Sequence, residues 1–316
     1  MDRPNPAAIS RQAQVLALPP PLQPGERVRL VAASSALSGP GRLDQGVALL
    51  ESWGLQVERS FDPSRRWGYL AGDDNQRRAD LEGTARLLAC VRGGWGAARL
   101  LEQDLPVHRG WLLGFSDVTS LLWARLAQGI GGGIHGPLVT SLAGEPDWSR
   151  ERLRALLFGE PLPPLQGESW SGGVAEGPLL VANLTVATHL LGTPFLPPLA
   201  GAVLIVEDVG EAPYRIERLL THWRLCGALQ QLAGLGFGSF EGCDDPVDPE
   251  LDTAEAGAPP LQRSFSLEQV LKERSADLGI PVVGRLPVGH APGNAALPLG
   301  SRARLDGATG QLSLLP

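Results

Sequence analysis

The segment Trp111-Leu112-Leu113-Gly114-Phe115-Ser116-Asp117-Val118-Thr119 carries the most suggestive chemistry in this 316-residue chain. An apolar run that turns into a helical pattern at a serine would present the hydroxyl at the carboxyl edge of a sheet, where open α/β sheets bind ligands. The first turn of the following helix leaves backbone N–H groups unpaired, and these can stabilise a developing oxyanion. Gly114 occupies the first glycine of a Gly-x-Ser-x-Gly nucleophile elbow, while Val118 stands where the second glycine would be. The same residues fit a plainer role, with Ser116 or Asp117 capping the helix.

A serine nucleophile needs a base, and the base needs a partner that orients it. Five histidines are available. His189 and His222 lie inside apolar helical patterns, and His108 lies in a polar turn. His135 follows a short apolar segment and could line a cleft or serve only in packing. His290, among Pro287, Gly289 and Pro292, fits a loop at a sheet edge or a structural turn. Glu207 ends the apolar run 203–206, so its carboxylate is either desolvated at a cost or paired with a donor such as an imidazole N–H. Capping of the next turn by Glu207 or Asp208 is the alternative. There is no HExxH and no clustered His/Asp ligand spacing. The run from Arg92 to Gly96 is not GxGxxG. Neither a metal nor another cofactor is expected.

Composition bounds the setting. A length of 316 residues fits about two domains. With 43% hydrophobic and 19% charged residues, the chain is neither disordered nor a coiled coil. A net charge of −7 argues against nucleic acid as the main partner, because phosphate binding needs a basic surface. No apolar run reaches the roughly 18 residues needed to span a bilayer, so no membrane partner is expected. Residues 1–24 lack the charged and apolar regions of a signal peptide and read as a loose tail. Cys90, Cys226 and Cys243 form no CxxC pair, which suits a reducing compartment. A cytoplasmic protein is the expectation.

Glycine and proline punctuate short apolar segments without a repeat, which predicts alternating strands and helices. Strands are expected at 28–33, 55–58, 89–91 and 111–114, and helices at 43–53, 75–88, 97–102 and 118–128. This βαβα alternation predicts a mostly parallel sheet covered on both faces. Residues 25–145 therefore read as one α/β domain. The proline- and glycine-rich stretch 146–178 reads as a linker. A second domain follows over 179–316, with helices at 184–191, 213–225 and 267–278 and strands at 203–206 and 282–283. The acidic, proline-rich stretch 241–262 reads as a long surface loop.

Six segments, taken in order, carry a resemblance: RGGWGAARLL at 92–101, GFSDVT at 114–119, HGPL at 135–138, NLTVATHLLGTP at 183–194, EDVGEAPYRIER at 207–218 and PVGHAPGNAALPLG at 287–300. Together the chain resembles the LD-carboxypeptidase family of serine peptidases, which includes murein tetrapeptide carboxypeptidases and microcin-immunity hydrolases. The resemblance implies an N-terminal flavodoxin-like α/β domain and a smaller C-terminal α/β domain, with the active site in the cleft between them. It makes Ser116 the nucleophile, His290 the general base and Glu207 the group that orients His290. The backbone N–H groups of Asp117 and Gly94 become the oxyanion donors. Arg92 and Arg215 are candidates to meet a substrate carboxylate, with an ordinary ion pair as the alternative for each. Val181, Ala182 and Ala291 replace glycines common in relatives, which touches loop shape and not the triad. The implied reaction is release of the terminal D-alanine of a muropeptide tetrapeptide in peptidoglycan recycling, through an acyl-enzyme and in a homodimer. The alternatives are an amidase acting on peptidyl- or aminoacyl-nucleotide analogues, or an inactive two-domain binding protein.

Overall fold

The computed structural model describes residues 11–244 and 265–316. Short apolar runs bounded by glycine form the first sheet: β1 (Arg27–Val31), β2 (Gln56–Glu58), β3 (Leu87–Cys90), β4 (Trp111–Gly114) and β5 (Gly133–His135). They pair in parallel in the order β2-β1-β3-β4-β5, which is the flavodoxin-like order. Between them lie α1 (Gly41–Ser52), α2 (Asp74–Ala79) and α3 (Thr119–Ala127). Strands β3 and β4 are buried throughout, as expected of a sheet covered on both faces.

The chain continues through α4 (Val139–Leu142), α5 (Asp147–Phe158), β6 (Leu165–Gln166), β7 (Glu168–Ser171), β8 (Val174–Asn183), α6 (Leu184–Leu190), β9 (Val203–Val209), α7 (Pro213–Leu225), β10 (Gly234–Glu241), α8 (Leu267–Ser275), β11 (Val282–Gly284), β12 (Leu297–Pro298), β13 (Arg302–Asp306) and β14 (Gln311–Leu314). A second, eight-stranded sheet runs β6-β14-β13-β8-β9-β10-β11-β7, and its central strands β8 to β11 are parallel. Strand β12 does not join it. It returns to the first sheet and pairs antiparallel with β5.

One side chain shows how the two sheets share a core. Trp123 of α3 is fully buried, donates its indole N–H to the Val181 carbonyl of β8 at 3.0 Å, and meets Trp223 of α7 edge-on at 6.2 Å. Truncating a tryptophan so enclosed typically costs about 3–5 kcal/mol.

Several expectations need correction. The helix expected over 75–88 begins with an Asp73 capping box and ends at Ala79. Residues 87–90 pair instead with β1 in the register Val28↔Leu87, because burial in the sheet outweighs a continuing helical period. Residues 11–24 are not a loose tail. Ala13 and Leu16 donate backbone bonds to Ala200 and Gly300 at 2.9 Å each, Leu22 donates to Leu157 at 2.7 Å, and the Leu22 side chain is 1% exposed. The prolines hold this segment extended as it crosses both halves. The stretch 146–178 is likewise no open linker. Leu153, Leu156 and Leu157 of α5 share a core cluster with Val28 and Leu50, while β6 and β7 form the two edges of the second sheet. Of the acidic stretch 241–262, residues 245–262 lie outside the described residues, as do residues 1–10.

Leu22→Ala should lower stability by about 2–4 kcal/mol in urea unfolding, the cost of emptying a closed apolar site. A freely moving tail would give no change.

Candidate active site

Ser116 sits just past the end of β4 with φ +61°, in the left-handed region. A non-glycine residue held there stores about 1–3 kcal/mol. The turn is shaped by its neighbours. A Cβ on Gly114 would lie 2.7 Å from Val118 Cγ1, so the valine replacing the elbow's second glycine is accommodated by the first. A Cβ on Gly93 would lie 3.1 Å from Ser116 Oγ, which makes Gly93 the close neighbour of the hydroxyl. Gly94, with φ +104°, is turned against Ser35 instead.

Asp117 ties the glycine turn to the serine turn. It is fully buried, its Oδ2 accepts the Ala97 N–H at 2.8 Å, and burial pushes its carboxyl above the ordinary range. Its backbone N–H lies in the first turn, where helices leave donors unpaired. Gly93 and Gly94 donate no backbone hydrogen bond among the described residues. The N–H groups of Gly93, Gly94 and Asp117 thus have no backbone acceptor among the described residues, and of the two glycines it is Gly93 that lies against the Ser116 side chain. Gly93 is not among the site residues expected from the sequence, although the Gly-Gly pair in RGGWG marks a close backbone approach.

His290 lies on the segment joining β11 to β12, which leaves the second sheet and enters the first. Its Nδ1 is 2.6 Å from Oε2 of Glu207, a fully buried carboxylate on β9. Burial pushes the Glu207 carboxyl up, and the hydrogen bond with His290 opposes that shift. The glycine at 289, with φ +124°, is required: a Cβ there would fall 2.9 Å from Glu207 Oε2. With Nδ1 engaged, Nε2 is the nitrogen left to exchange protons.

The Phe115 ring joins this pair to the serine turn. Its centroid is 4.7 Å from that of His290 and 5.5 Å from that of His135. The Ser116 hydroxyl forms no hydrogen bond with the imidazole among the described residues. Such contacts are often long in unliganded enzymes and close when substrate binds. His135, opposite Gly114 in the β4–β5 register, is fully buried and neither ring nitrogen has a partner among the described residues. Burial, with His290 nearby, lowers its pKa to about 3, so the ring stays neutral. The remaining histidines do not enter this cluster. His108 binds the Ala85 carbonyl and His189 meets Trp95 edge-on.

Of the candidate cations, Arg92 binds the Ala36 carbonyl and Ser38 Oγ beside a cavity of about 530 Å³ that Arg42 and Thr140 also line. Arg215 is not drawn into the cluster. It pairs with Glu211 at 3.4 Å and with the Tyr214 hydroxyl on an exposed face. Among the described residues no three His, Cys, Asp or Glu side chains converge as a metal site, and no helix is long and apolar enough to cross a membrane.

The left-handed Ser116 and the buried Glu207–His290 pair thus meet at the Phe115 ring, between the two sheets. The chain belongs to the LD-carboxypeptidase family: residues 28–136 match the model of that family's N-terminal domain and residues 176–305 that of its C-terminal domain. It is 48% identical to a Synechocystis protein named as a carboxypeptidase, covering 94% of this chain and 97% of that one. It is 32% identical to the murein tetrapeptide carboxypeptidase of Pseudomonas aeruginosa, over 89% and 93% of the two chains. Among solved structures, muramoyltetrapeptide carboxypeptidase from Oxalobacter formigenes superposes with a TM-score of 0.75 at 25% identity, over 91% and 97%. MccF in complex with glutamyl sulfamoyl guanosine superposes with a TM-score of 0.79 at 20% identity, over 96% and 98%, a likeness of fold.

Two measurements check the local physics. Ser116→Gly, which relieves the left-handed strain, should raise unfolding stability by about 1 kcal/mol while removing the hydroxyl. His135 is held neutral when folded but takes a proton near its ordinary pKa when unfolded. Its stabilising effect is complete above about pH 6.5 and is lost as the pH falls toward 3. Between pH 7 and pH 5 the protein should therefore lose about 2 kcal/mol more than the His135→Leu variant in urea titrations.

Proposed function

We propose that this chain is a serine-type L,D-carboxypeptidase that releases the terminal D-alanine of a muropeptide tetrapeptide. The observation that carries this reading is the 2.6 Å contact between His290 Nδ1 and Glu207 Oε2, with the imidazole packed on the residue just before Ser116. A buried carboxylate fixes the tautomer that donates from Nδ1 and accepts at Nε2, as a general base requires.

In the proposed reaction Ser116 Oγ attacks the carbonyl of the L-configured centre while its proton passes to His290 Nε2. The negative charge formed on that carbonyl oxygen is met by the N–H of Asp117 and by the glycine turn, at Gly94 or its neighbour Gly93. Collapse breaks the C–N bond, and the D-alanine amine leaves with the proton from His290. Water then attacks the acyl-enzyme, gives its proton to His290, and frees Ser116. Removing one oxyanion donor from such a site typically costs about 3–4 kcal/mol of transition-state stabilisation. Substrate carboxylates need a local cation in a chain of net charge −7, and Arg92 next to Gly93 is the proposed one.

Ser116→Ala should lower kcat on tetrapeptide by at least about 10⁴-fold with the fold retained, and block labelling by a fluorophosphonate. Retained turnover would end the proposal. Faster hydrolysis of aspartyl sulfamoyl adenosine than of tetrapeptide would assign the same serine to the amidase reaction instead.

A further inference from the structure

His290 stands near the middle of the segment 285–296, which is held from β10 on one side and from the neighbourhood of α5 on the other. On the outgoing half, Leu286 donates to the Phe237 carbonyl at 2.9 Å and the Val288 carbonyl accepts from Ser239 at 2.7 Å. On the return half Ala291 donates to Ser239 Oγ at 3.2 Å and Ala295 to the Pro287 carbonyl at 2.8 Å, and further partners come from the turn between α4 and α5 and from α5 itself. Glu145 Oε2 accepts the N–H groups of Gly293 at 2.8 Å and Asn294 at 3.2 Å. Ser149 Oγ donates to the Asn294 carbonyl at 2.7 Å. Asn294 passes the constraint back, because its Oδ1 accepts the N–H of Gly289 at 3.0 Å, one residue before His290.

Glu145 is the unusual member of this chain of contacts. It lies outside the triad, is half-buried, and has no ion pair among the described residues, so its charge is answered by two main-chain donors. Hydrogen bonds to an ionised acceptor are roughly twice as strong as neutral ones. Gly293, with φ +98°, brings its N–H within reach. A Cβ there would lie 2.5 Å from the Trp148 ring, so only glycine lets the segment pass this close to α5. Glu145, Asn294, Gly289 and His290 form an unbroken line from α5's entry turn to the imidazole.

We infer that Glu145 is a positioning residue for the reaction, latching the return half of this segment so that His290 Nε2 is aimed at Ser116. The inference rests on the proposed roles of Ser116 and His290. Loss of the latch leaves the Glu207 hydrogen bond in place but frees the backbone that sets the ring's height above the serine. A misplacement of about 1 Å in such a pair costs about 10²-fold.

The test compares Glu145→Ala with Glu145→Gln, measuring kcat and KM on tetrapeptide, the rate of fluorophosphonate labelling of Ser116, and thermal unfolding. Glu145→Ala should lower kcat and the labelling rate together by about 10–100-fold, with KM within about threefold of wild type. Glu145→Gln keeps an oxygen that can accept both N–H groups and should restore both rates to within about threefold of wild type. A folded Glu145→Ala enzyme with unchanged kcat, whatever its melting temperature, overturns the inference. So does a folded Glu145→Gln enzyme as slow as the alanine variant. Turnover that survives Ser116→Ala would instead show that the triad reading had failed.

Discussion

The constraint on which the site depends is the passage of one chain segment between two sheets. Strand β11 pairs with β10 in the second sheet, and β12 pairs with β5 in the first, only a dozen residues later. His290 lies between them. Its ring meets Glu207 from the second sheet and Phe115 from the first, so neither sheet alone sets its position. A buried carboxylate without a donor would cost several kcal/mol. The Glu207–His290 bond offsets that cost only while the crossing is correctly seated.

The serine turn is tied into the same frame. Three residues beyond Ser116, Thr119 Oγ1 accepts the Asn183 N–H at 3.1 Å, and one turn further Trp123 donates to Val181. Asn183 is in turn fixed by Asp208, the neighbour of Glu207, at 3.0 Å. The serine turn is therefore hydrogen-bonded through Asn183 to Asp208, the residue next to Glu207, although 91 residues separate Ser116 from Glu207 and 83 more separate Glu207 from His290. Rigid placement of this kind is what a proton relay needs, because proton transfer tolerates little misalignment. Strain at Ser116 is affordable in such a frame, since the surrounding contacts over-determine the turn.

The strands expected at 28–33, 111–114 and 203–206 were legible as short apolar runs, although the first ends at Val31 and the third continues through Glu207 to Val209. Helix α7 was legible in full, with Pro213 at its first turn and Leu225 at its end. The run 80–90 was not, because leucines there suit a helix face as well as a buried strand, and only pairing with β1 decides. Residues 11–24 were misread for a related reason. Proline-rich composition reports extended backbone, and it does not say whether that backbone is bound. In the site, Ser116, Glu207 and His290 stood out through their segments, whereas the part proposed for Glu145 rests on backbone contacts that no side-chain pattern announces.

Electrostatics explains why so many buried polar groups can crowd one serine. Cys90, Asp117 and His135 each lie fully buried close to the turn. Burial pushes the Cys90 thiol and the Asp117 carboxyl up, which disfavours their anionic forms, and pushes the His135 imidazole down, which disfavours its cation. The neighbourhood thus resists carrying extra charge of either sign. A single charge that appears during a reaction would then meet little local competition. In the proposed mechanism those charges are an imidazolium at His290, answered by Glu207, and an oxyanion, answered by main-chain N–H groups. A low-dielectric surround strengthens both pairings relative to water. The same burial that makes the carboxylate–imidazole pair costly to assemble is what makes it effective once the chain crossing has brought it together.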